Sequence, residues 1–317
     1  MRVAFFGTPA PAVPALRALL NDPRAEVPLV VTNPDRPGGR GHRLQPPPVK
    51  VAAADAGVPV VQPARAAEVI EQLSTLHLDA CAVVAYGQIL PPRLLAVPAH
   101  GFVNLHFSLL PAWRGAAPVQ ATILHGDRRT GVTCFVLDAG MDTGPILATH
   151  ETSVGPTETA GELLERLADL GAPLLVEAVA GLVDGSLTPL PQDPERATYA
   201  PKITPDDAEL DWTASAQHLD RRVRAFQPVP GAHTTFAGGR LKVHTARIVP
   251  GTGDPGVVVA IDQRTGAPVV ACGSEALRLD EVQPAGRRRM SGDAFVNGYQ
   301  PQGQRLGATP QSRREVR

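Results

Sequence analysis

Residues 3–20, VAFFGTPAPAVPALRALL, pass from four apolar side chains through a Gly-Thr-Pro turn into an apolar pattern of helical period. A short unbroken apolar run bounded by turn residues reads as a strand buried on both faces, the kind found in parallel sheets covered by helices. The alternation repeats along the chain: 27–32, 80–85 and 101–104 read as strands, and 13–20, 48–56, 66–76 and 116–124 as helices. Strands alternating with helices predict an α/β unit with a mostly parallel sheet. Residues 131–137 and 145–150, joined by DAGMDTG, add an antiparallel hairpin, and 158–183 reads as a long closing helix.

The chain has 317 residues, more than one ordinary domain needs, and the pattern changes past the middle. Residues 184–207 hold five prolines and no regular period, which reads as a linker. Beyond them a short helix at 215–225 precedes apolar runs at 240–249, 256–261, 267–271 and 277–282, separated by Gly and Pro, which predicts a small barrel or sandwich. The end, from 303 onward, is polar and reads as frayed. Net charge is −1 overall, yet residues 1–206 carry 15 Lys and Arg against 20 Asp and Glu, and residues 207–317 carry 15 against 11. A neutral total therefore hides an acidic half and a basic half of net +4.

Hydrophobic residues make up 43% of the chain, enough for a packed core. No apolar stretch is long enough to span a membrane and the N-terminus lacks a signal-peptide layout, so a cytoplasmic protein is expected, and separately a monomer. Cys81, Cys134 and Cys272 lie far apart in apolar runs and read as buried reduced thiols, with no metal site. The Gly7-Thr8-Pro9 turn has neither the three spaced glycines of a dinucleotide site nor the Gly-Lys-Ser/Thr ending of a P-loop, so it is read as a tight strand-to-helix turn.

The chemistry concentrates in residues 103–118, VNLHFSLLPAWRGAAP. Asn104 and His106 are two apart at the carboxyl end of an expected strand, so both face one way, at the edge where open α/β sheets bind ligands. Asp142, between glycines in GMDTG, supplies a carboxylate in a loop, either turned inward or spent on an Asx-turn. An amide and an imidazole can donate to an oxygen that becomes negative, while a carboxylate favours the protonated imidazole, so the three suit acyl transfer. No Ser or Cys occupies a nucleophile elbow and no His/Glu pair has zinc spacing, so the substrate brings its own nucleophile.

The pattern N-x-H-x-S-L-L-P-x-W-R-G-A-A-P, with AYGQILP at 85–91 before it and GMDTG after it, closely resembles the folate-dependent formyltransferase family. The resemblance runs from FFGTP through TNPDRPGGRG and PPPVK to RAFQPVPGA at 224–232. It implies a Rossmann-like formyltransferase domain over 1–187, a linker over 188–206 and a β-barrel, OB-like tRNA-binding domain over 207–317. It further implies a catalytic trio of Asn104, His106 and Asp142, acting on 10-formyltetrahydrofolate without a metal. Ser108, Leu109, Leu110 and Pro111 would line the folate site, and Gln88, Ile89 and Leu90 would meet the pterin ring. Phe107 departs from the small residue commoner in the family and reads as a packing variation.

The acceptor implied is the α-amine of methionine on initiator tRNA. Residues 32–48 carry Arg36, Arg40, His42 and Arg43 in Gly- and Pro-rich sequence, and by resemblance this loop enters the tRNA acceptor end, with Arg40 matching an important arginine. In the basic half, Arg221, Arg222 and Arg224, then Arg240, Lys242 and Arg247, then Arg287–Arg289 read as an electrostatic tRNA platform. Two alternatives stay open on the residues alone. The same trio could formylate a small amine or hydrolyse formyl-folate, or the chain could bind tRNA without catalysis.

Overall fold

In the computed structural model, the described residues are 1–38 and 43–307. They fall into two compact units, one of Met1–Pro118, Arg128–Val154 and Leu163–Pro201, the other of Val119–Asp127, Gly155–Glu162 and the described part of Lys202–Arg317. The helices in chain order are α1 (Val13–Asn21), α2 (Pro48–Asp55), α3 (Ile70–Ser74), α4 (Pro92–Leu95), α5 (Pro118–His125), α6 (Ala160–Val183), α7 (Ala216–Ala225) and α8 (Gly292–Tyr299). None of the described helices is long and apolar enough to cross a membrane.

The first unit is built on strands β1 (Val3–Gly7), β2 (Val30–Val31), β3 (Arg36–Gly38), β4 (Arg43–Gln45), β5 (Val60–Val61), β6 (Ala80–Val84), β7 (Phe102–His106), β8 (Arg114–Gly115), β9 (Arg129–Val136), β10 (Ile146–Ser153) and β11 (Tyr199–Ala200). Seven of them form one sheet in the order β10-β9-β7-β6-β1-β2-β5, parallel from β7 to β5, with β9 and β10 added antiparallel. The sheet is the mostly parallel α/β expected. β1 is the middle one of the five parallel strands, Phe5 opposite Val30 on one side and Ala82 on the other, and all five of its residues are buried. That position requires the continuous apolar run read in the sequence. Gly7 ends the strand because a Cβ there would lie 2.7 Å from the Phe5 ring and 2.9 Å from Ala12, so the glycine serves close packing of the turn.

β7 carries the site and its sidedness is set by packing. Leu105 is 2% exposed, and α6 approaches it so closely that a Cβ on Gly171 would lie 2.7 Å from the Leu105 methyls. With Val103 and Leu105 on the helix-covered face, Asn104 and His106 must occupy the other. A one-residue slip would bury both polar side chains under α6, so the apolar positions of the strand fix its functional ones.

The second unit holds strands β12 (His233–Phe236), β13 (Gly239–Val249), β14 (Val258–Ile261), β15 (Pro268–Ala271), β16 (Ala276–Pro284) and β17 (Met290–Ser291) in an antiparallel sheet, β12-β13-β16-β15-β14, with β17 on β16. Its core gathers Trp212, Leu219, Phe226, Phe236, Val243, Leu277 and Phe295, and the Trp212 indole donates to Thr234 Oγ1 at 3.0 Å. Residues 303–307 correct the expectation of a frayed end. Gly303 and Leu306 donate to the carbonyls of Val258 and Gly256, Gly307 donates to Thr235, and Leu306 is 2% exposed. This segment thereby ties β14 to β12, the two outer strands of the sheet. Polar composition conceals it because one leucine and a few backbone bonds carry the attachment.

Other departures have local causes. Of 27–32 only Val30–Val31 pairs, since Pro28 has no N–H for a ladder. The helix expected at 66–76 is a 3₁₀ turn, Ala66–Val69, followed by α3. α8 is not evident in the sequence because Gly292 and Gly298 depress its helix propensity. Replacing Leu306 with Ala should destabilise the second unit by about 2–5 kcal/mol. Urea unfolding followed by Trp212 fluorescence in a Trp113→Phe background measures it, and an unchanged midpoint would contradict the closing role of 303–307.

Candidate active site

Beyond His106 the chain turns back over the end of β7, and buried polar contacts hold the turn. Thr133 Oγ1 on β9 donates to the Ser108 carbonyl at 2.7 Å and accepts from Leu110 N at 3.1 Å, while Ser108 Oγ donates to the Ala112 carbonyl at 2.6 Å. The turn delivers the Trp113 carbonyl to His106 Nε2 at 3.0 Å. β8 then pairs in parallel with β11, and Gly115 N donates to Asp142 Oδ2 at 2.7 Å. Gly115 has φ +119°, and a Cβ there would lie 2.6 Å from the Ala200 carbonyl oxygen, so no other residue fits between β11 and the Asp142 loop.

Asn104, His106 and Asp142 thereby meet in one cleft of ≈ 730 Å³, lined also by residues 85–90 and 137–141. Asp142 Oδ2 stands 3.7 Å from His106 Nδ1, a charge contact longer than a hydrogen bond. A carbonyl can only accept, so the Trp113 contact places a ring hydrogen on Nε2, and in the neutral ring the lone pair is then on Nδ1. Burial lowers the His106 pKa, against the opposing pull of the Asp142 charge and the Trp113 carbonyl. Burial thus favours the neutral ring, while the nearby carboxylate pulls toward the protonated one. Ala85, Trp113 and Asp142 all have left-handed backbone, at φ 47°, 60° and 55°. Such conformations in non-glycine residues persist only where the surroundings hold them, and they cluster at functional sites.

One rim of the cleft is apolar. Ile89 is 93% exposed, Leu90 lies beside it, and Gln88 donates to Asn33 Oδ1 at 2.7 Å. Asn33 in turn donates to Thr8 Oγ1 and the Tyr86 carbonyl, and Gln62 donates to the Asn33 carbonyl and to Asp35. Lys50 holds Asp35 at 2.8 Å and lowers its pKa. This network joins the carboxyl ends of β1, β2, β5 and β6, where the strand order reverses. Sequence reasoning singles out Gln88 and not Thr8, Asn33, Asp35, Lys50 or Gln62. Their signal is polar residues directly after buried apolar strands.

Ser108, Leu109, Leu110 and Pro111 are not among the cleft-lining residues. Ser108 is fully buried, and its hydroxyl donates to the Ala112 carbonyl within the turn. Phe107 is buried and borders the cleft. Cys81, Cys134 and Cys272 are free and buried, and burial raises their thiol pKa values, that of Cys272 to about 12. Among the described residues, no group of three or more His, Cys, Asp or Glu is placed to hold a metal ion.

The basic residues divide sharply. Arg40 and His42 lie outside the described residues, Arg43 belongs to β4 with no side chain described, and Arg36 is exposed on β3. Arg221, Arg222 and Arg224 lie together on α7, each bonded to neighbouring groups. Arg221 donates to the His125 carbonyl and Arg224 bonds Asp220 and the Glu158 carbonyl. Arg222 donates to the carbonyls of Asp207 and Glu209, and burial lowers its pKa. Sequence shows that a residue is charged but not that a backbone carbonyl waits for it.

Arg240 and Lys242, opposite Thr235 and His233, share the outer face of β12 and β13, with Arg287 exposed on the turn after β16. Burial lowers the pKa of His233 and of His244; Arg240 and Lys242 push His233 down further, and Arg289 and Lys242 act likewise on His244. That face is electropositive.

Known proteins match this architecture. Residues 1–179 match the formyl transferase family model and 202–300 that of the formyl transferase C-terminal domain. A methionyl-tRNA formyltransferase of Frankia alni is 48% identical over 304 residues, 94% of this chain and 91% of the relative. Among solved structures, HypX of Aquifex aeolicus in complex with tetrahydrofolic acid superposes with TM-score 0.65 at 14% identity, covering 98% of this chain; this chain spans 49% of that one. A methionyl-tRNA formyltransferase from Clostridium thermocellum superposes with TM-score 0.56 at 16% identity, over 78% of this chain and 94% of that one. At these identities the superpositions show a shared fold.

A depressed folded-state pKa means that the unfolded chain protonates His106 first, so its contribution to stability is present above about pH 6.5 and fades below it. Nitrogen-15 spectra should show a neutral His106 ring with hydrogen on Nε2 at pH 6.5; an imidazolium signal at that pH would contradict the assignment.

Proposed function

The chain belongs to the formyl transferase family, and on that premise we propose that it transfers the formyl group of 10-formyltetrahydrofolate to the α-amine of methionine on initiator tRNA. The convergence of Asn104, His106 and Asp142 on one cleft carries this reading. The cleft's ≈ 730 Å³ lies within the range of about 300–1,000 Å³ usual for drug-sized ligands. Its apolar rim at Ile89 and Leu90 suits a flat heteroaromatic ring, and its polar end suits the reacting carbonyl.

The α-amine, with a pKa near ~8 before esterification lowers it, is partly neutral at pH 7 and attacks the formyl carbon directly. The Asn104 amide donates to the formyl oxygen as it gains charge. His106 Nδ1, bare in the resting state, takes the proton that the new C–N bond expels from the amine, and Asp142 3.7 Å away stabilises the imidazolium. That proton passes to the departing folate nitrogen as its bond to the formyl carbon breaks, returning His106 to neutrality.

The tRNA is held electrostatically. Arg240, Lys242 and Arg287 on the second unit supply phosphate contacts, and Arg36, Arg40 and Arg43 reach the acceptor end. Arg221, Arg222 and Arg224 support the helix that carries them. The reaction belongs in the cytoplasm, where charged tRNA and reduced folate meet.

Changing Asn104 or Asp142 to Ala should lower turnover about 100- to 1,000-fold while tRNA affinity holds. A formylation assay beside filter binding measures both, and a normal rate in either variant removes that residue from the mechanism. Replacing Arg240 and Lys242 with Ala should weaken tRNA binding and flatten its salt dependence, by about 0.7–0.9 in log–log slope for every phosphate no longer neutralised. Unchanged affinity and slope would take that face out of the tRNA site. Sugar and nucleotide amines offered in place of charged tRNA should stay unformylated.

A further inference from the structure

Gln192 lies in the proline-rich stretch after α6, 50 residues from Asp142, yet its side chain spans two parts of the site. Its Nε2 donates to the carbonyls of Asp142 at 2.8 Å and Gly144 at 2.7 Å. Its Oε1 accepts from Arg114 Nε at 3.1 Å and Nη2 at 2.7 Å. Guanidinium only donates and a carbonyl only accepts, so the amide has a single orientation that serves all four contacts. No other side-chain type offers two donors and a shared acceptor at that spacing.

The two parts it joins are those whose separation sets the carboxylate. Arg114 precedes Gly115, whose N–H binds Asp142 Oδ2 at 2.7 Å. On the other side, Asp142 holds φ 55°, a left-handed backbone that a non-glycine residue keeps only under constraint. Gly144 leaves that loop no slack, since a Cβ there would lie 1.8 Å from the Val136 carbonyl oxygen. Arg114 is 4% exposed, so its charge is buried and its bonds to Gln192 matter.

We infer that Gln192 is a positioning residue for formyl transfer: it clamps the Asp142 loop to Arg114 so that the carboxylate stays beside His106. This rests on Asp142 serving that reaction. Gln192 is not among the residues that line the cleft, and its effect passes through Asp142.

The test uses the full chain in four forms: wild type, Gln192→Leu, Gln192→Glu and Asp142→Asn. Gln192→Leu strands a buried guanidinium and can fail to fold. Gln192→Glu keeps an oxygen for Arg114 while removing both N–H donors, and it is the decisive variant. It should fold, lose about 10- to 100-fold in kcat, and keep KM for formyl donor and charged tRNA within about twofold. The His106 nitrogen-15 signals should move while those of the other histidines stay. A folded Gln192→Glu protein with kcat within about twofold of wild type overturns the inference. So does a rise in both KM values with kcat unchanged. If Asp142→Asn is as active as wild type, the reading of Asp142 itself fails, and Gln192 with it.

Discussion

A single hydrogen bond, from the backbone N–H of Gly115 to the Asp142 carboxylate Oδ2 at 2.7 Å, joins what the sequence keeps apart. It can form only if β7 ends where it does, if the following turn doubles back, and if the loop between β9 and β10 folds toward it. Each condition has its own physical enforcement: α6 packed on Leu105, Thr133 holding the turn, and glycines at 115 and 144 where a Cβ would strike a carbonyl. The site is the place where these packing solutions agree, and Gln192 spans the same gap from the other side.

The electrostatics follow from that geometry. A buried imidazole prefers neutrality, and a carboxylate at 3.7 Å offsets part of the preference without cancelling it. A ring held so can accept a proton during a reaction and release it afterwards. A carboxylate placed closer would favour the charged ring already at rest.

Much of this is legible in the sequence. Strand parity puts Asn104 and His106 on one face, and parity survives folding because a strand buried on its other side cannot slip. The trio can be brought together in thought because GMDTG looks like a loop built around an acid. Gln192, Asn33 and Gln62 are not legible. Their roles depend on which carbonyls and amides the fold carries to them, and amide side chains leave no periodic trace. The arginines of α7 show the opposite case: the charge cluster is conspicuous in the sequence, but the bonds of 221, 222 and 224 to neighbouring groups are seen only in the structure. The closing segment at 303–307 stays hidden because its attachment is mostly backbone.

The stretch after α6 looks like the natural place to separate the two halves, yet it is woven into the first unit. Leu190 bridges Ile146, Gln192 holds the Asp142 loop, Trp113 N donates to Thr198 Oγ1, and the Ala200 carbonyl accepts from Ala116 and Ala117. Modularity therefore begins later than composition suggests. A chimera that exchanges C-terminal segments keeps these contacts of the first unit only when the seam falls after Pro201, and it still leaves 119–127 and 155–162 of the second unit behind. A cut at the first prolines would carry Gln192 and Thr198, and with them the bonds to the Asp142 loop and to Trp113, away with the exchanged part.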